Sequence, residues 1–156
     1  MIVLGIDPGI ADTGFGILDV KKDGRLLCLE YGSIKTSPNK NLAERIEKLF
    51  NDLSDIIEKY KPEIVGVEEL FFNKNVKTAL IVGQARGVVL LAAKISNARL
   101  MEFTPLQVKQ AVSTYGRADK AQVQRMVKMI LNLDKIPKPD DAADALAVAI
   151  CASNNK

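Results

Sequence analysis

Two short apolar runs, each closed by a carboxylate, set the first limit on how this chain folds. Ile2-Val3-Leu4-Gly5-Ile6 ends at Asp7, and Ile64-Val65-Gly66-Val67 ends at Glu68. Runs of this length and β-branched content read as buried strands. A carboxylate at the end of a buried strand is poorly solvated and needs a partner. If the two strands lie parallel and adjacent, their ends are only about 4.8 Å apart. Carboxylates that close repel one another unless a proton or a divalent cation lies between them. A third acidic segment, Pro139-Asp140-Asp141-Ala142-Ala143-Asp144-Ala145-Leu146, supplies further candidates. The chain has no histidine, so imidazole is excluded as ligand or base. Hard oxygen donors of this kind suit Mg²⁺ or Mn²⁺. Phosphodiester chemistry is the commonest use of such a site.

The remaining pattern predicts an α/β domain. Strands are expected over Thr13 to Val20 and Arg25 to Lys35, with a hairpin turn at Lys21-Lys22-Asp23-Gly24 between them. Pro8-Gly9-Ile10-Ala11-Asp12 is turn chemistry joining the first two strands. Leu42 to Lys59 has helical periodicity, and Lys61-Pro62 ends it before the strand Ile64 to Glu68, which is expected to run parallel to the first. A long helix follows from about Val76 to Ser96, then a strand from Arg99 to Phe103. Thr104-Pro105-Leu106-Gln107 and Asp119-Lys120-Ala121-Gln122 are capping boxes opening two more helices. Lys135 to Pro139 is a linker, and an alanine-rich helix from about Asp140 to Ser153 can pack closely on the sheet. These elements make one domain, residues 1–156, with a five-stranded mixed sheet flanked by helices.

Composition narrows the class. An apolar fraction of 47% and a charged fraction of 26% are those of a globular protein, and no run reads as membrane-spanning. Met1 leads straight into the first strand without a signal-peptide pattern. Cys28 and Cys151 form no metal-ligand spacing or disulfide framework, so a cytoplasmic protein is expected. The net charge of +3 understates how basic the surface is once the acidic cluster is set apart. A basic surround and a cation-filled acidic centre suit a polyanionic substrate.

Spacing leaves two matters open. Asp140/Asp144 and Asp141/Asp144 would both share a helical face, and either pair could equally be helix-start acids favoured by the macrodipole. Ala79, Gly83, Gly87 and Leu91 line one face of the long helix. That face is expected to pack closely, either on the sheet or across a two-fold axis.

Four motifs in series carry a family likeness: Gly5-Ile6-Asp7-Pro8-Gly9, Val67-Glu68-Glu69, Gly83-Gln84-Ala85-Arg86-Gly87 and Asp141-Ala142-Ala143-Asp144-Ala145-Leu146. In this order and spacing, from Met1 to about Ala152, they resemble the RuvC family of bacterial Holliday junction resolvases. The resemblance implies an RNase H-like fold and a homodimer that nicks four-way DNA junctions symmetrically in recombination and repair. It carries over Asp7, Glu68, Asp141 and Asp144 as the catalytic, metal-binding set. It places the third acid at Asp141, where some relatives have histidine. Glu69, next to Glu68 on a strand, points to the opposite face and is left out.

The implied reaction is phosphodiester hydrolysis with two Mg²⁺ ions per site, Mn²⁺ serving as substitute. In Leu70-Phe71-Phe72-Asn73-Lys74-Asn75, Phe71 matches an aromatic of the family and is expected to stack on an unpaired base. The alternative for either phenylalanine is a place in the core. Lys109 and Lys120 match basic positions and are expected to contact phosphates, with Lys74 and Arg117 as weaker candidates. Partnership with the RuvA–RuvB branch-migration machinery is implied by the resemblance alone. The residues themselves leave three rivals: an actin-like or sugar-kinase-like ATPase, for which the chain is too short; a non-catalytic junction-binding module; and another RNase H-like nuclease.

Overall fold

The computed structural model describes residues 1–69, 76–113, 116 and 118–155. Its strands are β1 (Ile2–Asp7), β2 (Asp12–Val20), β3 (Leu26–Lys35), β4 (Ile64–Glu68) and β5 (Arg99–Phe103). They form one sheet in the order β3-β2-β1-β4-β5. The helices are α1 (Leu42–Tyr60), α2 (Val76–Ile95), α3 (Pro105–Val112), α4 (Lys120–Ile130) and α5 (Asp140–Asn154). Each element lies within about two residues of its expected bounds, because strong local signals set the ends. The capping boxes at Thr104 and Asp119 are both formed, and Asn41 builds a third with Glu44. Gly24, at φ +87°, turns the β2–β3 hairpin.

Strand β1 pairs antiparallel with β2 and parallel with β4, as the apolar runs predict. The sheet is buried on both faces. On one, α1 and α2 cover Leu4, Ile6, Ile17, Val65 and Val67 with Leu49, Leu53 and Ile57. Burying side chains of this kind contributes about 1.5–3 kcal/mol each. On the other face α5 lies against the sheet, backed by α3 and α4, over Val3, Leu18, Ile64 and Phe103.

A row of glycines explains how close α5 comes. Gly16, Gly5 and Gly66 are in register across β2, β1 and β4. A Cβ at Gly5 would overlap the backbone of Ala145 and Ala149; at Gly16 it would strike Leu146, and at Gly66 Ala152. The sheet thus offers a trough without side chains, and the alanines of α5 let its backbone settle into it. From Ala142 to Ser153, every residue of α5 except Asp144 is buried.

Helix α2 is different. By length and composition it is long and apolar enough to cross a membrane, against the expectation that no run would be. Here it flanks the sheet, anchored by Ala85, Val89, Ala92 and Ala93 alone among its described residues, and it packs on α1 and β5. Of the two expectations for its small-residue face, packing on the sheet fails, since a Cβ at Gly83 or Gly87 would meet nothing within 4 Å.

Candidate active site

The register that makes the glycine trough also places the acids. One step along on the same sheet face stand Gly14 on β2 and Asp7 on β1, a Cα pair, with Glu68 on β4 next to the paired Ile6 and Val67. The first turn of α5 descends onto this row. A Cβ at Gly14 would overlap the Asp141 carbonyl and stand 3.1 Å from the Asp141 side chain. The trough therefore fixes where Asp141 and Asp144 arrive, directly over Asp7 and Glu68.

The electrostatics record this convergence. Burial raises the Asp7 carboxyl most, and the charges of Glu68, Asp144 and Asp141 add to it, pushing it up to about 8. Glu68 is raised as well, by burial and then by Asp144, with Lys109 and Lys120 opposing. The contact between the two side chains raises Asp7 further and lowers Glu68. Asp141 is raised by burial and next by Asp12.

Asp140 and Asp141 differ in surroundings. Asp140 lies 2.6 Å from Lys138 Nζ, whereas Asp141 is among the main charges raising Asp7. Gly14 leaves room for the Asp141 backbone.

Lys120 Nζ lies 3.0 Å from Asp144 Oδ2 and 3.9 Å from Asp140 Oδ2. The hydrogen bond to Asp144 holds its ammonium above the usual lysine range. Lys109 and Lys120, with Glu68 and Asp144, line a cavity of about 240 Å³ between α3, α4 and α5. That cavity is lined by both signs of charge. A larger groove of about 410 Å³, lined by Ile57, Lys61, Ala92 and Ile95 among others, is formed by the C-terminal parts of α1 and α2 and includes none of the clustered acids. Phe71, Phe72, Lys74 and Arg117 lie outside the described residues.

Among the described residues no three acidic groups already form a closed metal cage. Asp144 is paired with Lys120. The donor chemistry still fits a hard divalent cation, since every acid in the cluster offers carboxylate oxygen and the cluster carries more negative charge than its burial tolerates. A residue the sequence reading placed only in a turn also belongs here. Asp12 is the largest charge influence on Asp141, and its Oδ1 is buried with no hydrogen-bond partner among the described residues.

Comparison with known proteins points the same way. Residues 3–152 match the family described as crossover junction endodeoxyribonuclease RuvC. The RuvC of Alkaliphilus oremlandii is 56% identical over 151 residues, covering 97% of this chain and 92% of that protein. The RuvC of Ruminiclostridium cellulolyticum is 56% identical over 156 residues, covering 99% and 93%. Thermus thermophilus RuvC superposes with a TM-score of 0.89 at 38% identity, over 97% of this chain and 92% of that one. The same enzyme in complex with a Holliday junction substrate gives 0.88 at 36% identity, with the same coverage. A yeast mitochondrial Holliday junction resolvase shares the fold, with a TM-score of 0.69 at 17% identity, over 97% of this chain and 77% of that one.

Proposed function

The chain belongs to the RuvC family of crossover junction endodeoxyribonucleases, and from that premise we propose that Asp7, Glu68, Asp141 and Asp144 are the acids with which it hydrolyses DNA. Its mixed five-stranded sheet with helices on both faces is the RNase H-like fold. It is a nuclease that resolves four-way junctions, in DNA recombination and repair. One observation supports the assignment of the site: an Asp7 carboxyl raised to about 8 by burial and then by acids from two other elements.

Asp7, Glu68, Asp141 and Asp144 would hold the metal, with Mg²⁺ as the ion and two per site. Bound there, Mg²⁺ supplies charge for the scissile phosphate and lowers the pKa of water. The chain's own part is to gather the acids on a rigid trough, so little reorganisation remains when substrate arrives. Lys109 and Lys120, which line the same cavity as Glu68 and Asp144, contact phosphates of the substrate. With no histidine in the chain, the proton leaving the attacking water passes to a carboxylate or to solvent. Phe71 stacks on a base near the cut, and Lys74 adds a phosphate contact.

A homodimer sets the distance between paired cuts. Support comes from α2, where Val76 is 73%, Leu80 65%, Leu91 53% and Ile95 60% exposed, and where Gly83 and Gly87 leave the helix backbone open. An apolar, small-residue face of this extent is what a second copy would cover. Partnership with the RuvA–RuvB machinery follows from the family, and work on chromosomal DNA is cytoplasmic.

The test is single-turnover nicking of a synthetic four-way junction, with plain duplex and a chelator as controls. Paired nicks that need both the junction and Mg²⁺ are expected. Junction binding without nicking would reduce the protein to a binding module, and equal cutting of RNA–DNA hybrids would make it a different nuclease.

A further inference from the structure

The motif Gly83-Gln84-Ala85-Arg86-Gly87 holds one residue that neither packing nor the metal site uses. Arg86 donates from Nη2 to Glu102 Oε2. Among the described residues this is the one ion pair joining α2 to the sheet. Its setting is guarded: the Arg86 side chain is 22% exposed, and its Nε is buried with no partner among the described residues. Helix α2 needs such a tie. No residue of α2 before Ala85 is buried, so its N-terminal half has no fully buried apolar anchor.

The position of Glu102 gives the tie its consequence. Glu102 pairs with Val67 and the next residue, Phe103, pairs with Glu68. Beyond that, Glu69 N–H donates to the Phe103 carbonyl at 2.8 Å. Strand β5 is therefore the side support of the β4 end that carries Glu68, and Arg86 holds that support from the opposite face of the sheet.

We propose that Arg86, through its ion pair with Glu102, is a positioning residue that sets Glu68 for cation binding and couples the placement of α2 to the acid cluster. This rests on the reading of Glu68 as a metal-binding acid. The pair transmits position because one end is fixed to the helix with the open apolar face and the other to the strand beside Glu68. Small displacements at a reacting centre cost large factors in rate, about a hundredfold for 1 Å; partial loosening of one support costs less.

The experiment compares Arg86→Met, Glu102→Gln and the exchange Arg86→Glu/Glu102→Arg with the parent protein. Mg²⁺ affinity is measured by calorimetry, dimerisation by sedimentation, folding by Tm, and kcat and KM on a four-way junction. Each single variant is expected to weaken Mg²⁺ binding roughly threefold and lower kcat about tenfold, with KM and dimer affinity within about twofold. The exchange should recover most of both losses. Unchanged Mg²⁺ affinity in the single variants, or losses that follow Tm and are not recovered by the exchange, would overturn the proposal. A parent protein that binds Mg²⁺ but never nicks a junction would sink the nuclease reading instead, and the Mg²⁺ comparison would still decide the role of Arg86.

Discussion

Asp7 and Glu68 stand side by side at the ends of the parallel β1–β4 pair, and burial with the Glu68 charge raises the Asp7 carboxyl to about 8. Two acids from segments sixty residues apart in sequence thus meet at one end of the sheet. A proton held by Asp7 stands where a cation would serve better, and that exchange has measurable results.

Stability of the metal-free protein should depend on pH in a defined direction. The Asp7 carboxyl is raised by burial and neighbouring acids to about 8 in the folded state, from an ordinary value of 3.8. A group raised in this way stabilises the fold fully below its unfolded value and loses that contribution as pH rises towards the folded one. Tm should therefore fall between about pH 4 and pH 8. Saturating Mg²⁺ should raise Tm by several degrees at pH 8 and by much less at pH 5. Thermal melts with chelator and with Mg²⁺ across this range check both statements.

Asp7→Asn should separate fold from chemistry. The amide keeps a donor for Glu68 and removes a buried charge, so Tm should hold or rise. Loss of one metal-binding carboxylate removes several kcal/mol of charge stabilisation, and nicking should drop at least about a thousandfold. Junction binding measured in chelator should stay within about twofold. Nicking at the parent rate would show that Asp7 is no ligand.

Gly5 and Gly83 should respond oppositely to alanine. At Gly5 the added methyl overlaps the Ala145 and Ala149 backbone. Forcing α5 off the trough should cost about 3 kcal/mol, roughly 6–12 °C in Tm. At Gly83 the methyl meets open space, so helix propensity should add about 1 kcal/mol to the protomer. Sedimentation should then show a weaker dimer for Gly83→Ala, because the close approach of a second helix is blocked.

Lys109→Ala and Lys120→Ala should each reduce the slope of log affinity against log salt by about one, at junction and duplex alike. Titrations at several salt concentrations measure this. An unchanged slope for Lys120→Ala would mean that its ammonium serves Asp144 and makes no phosphate contact.

Much of the fold could be read from sequence because its signals are local. Caps at Thr104 and Asp119, the Asp23-Gly24 turn and the two apolar runs fixed boundaries without reference to anything distant. The convergence of Asp7 with Glu68 was also readable, since parallel pairing of two similar runs forces it. What stayed hidden depends on contacts between segments. Gly16, Gly5 and Gly66 form a trough only in the register of three strands, and no single segment shows it. Asp141 meets the sheet at Gly14, a residue over 120 positions away. Asp12 looked like turn chemistry because its effect on Asp141 exists only once α5 is docked. The outward face of α2 was ambiguous because glycine spacing signals close approach without saying to what.

The most direct test of the account is proton release on Mg²⁺ binding, read by calorimetry at pH 7 in two buffers of different ionisation enthalpy. A cation bound by Asp7 must expel the proton that its raised carboxyl holds at pH 7, so release should approach about one proton per protomer and vanish in Asp7→Asn. Mg²⁺ binding with no proton release, or with the same release from Asp7→Asn, would contradict it.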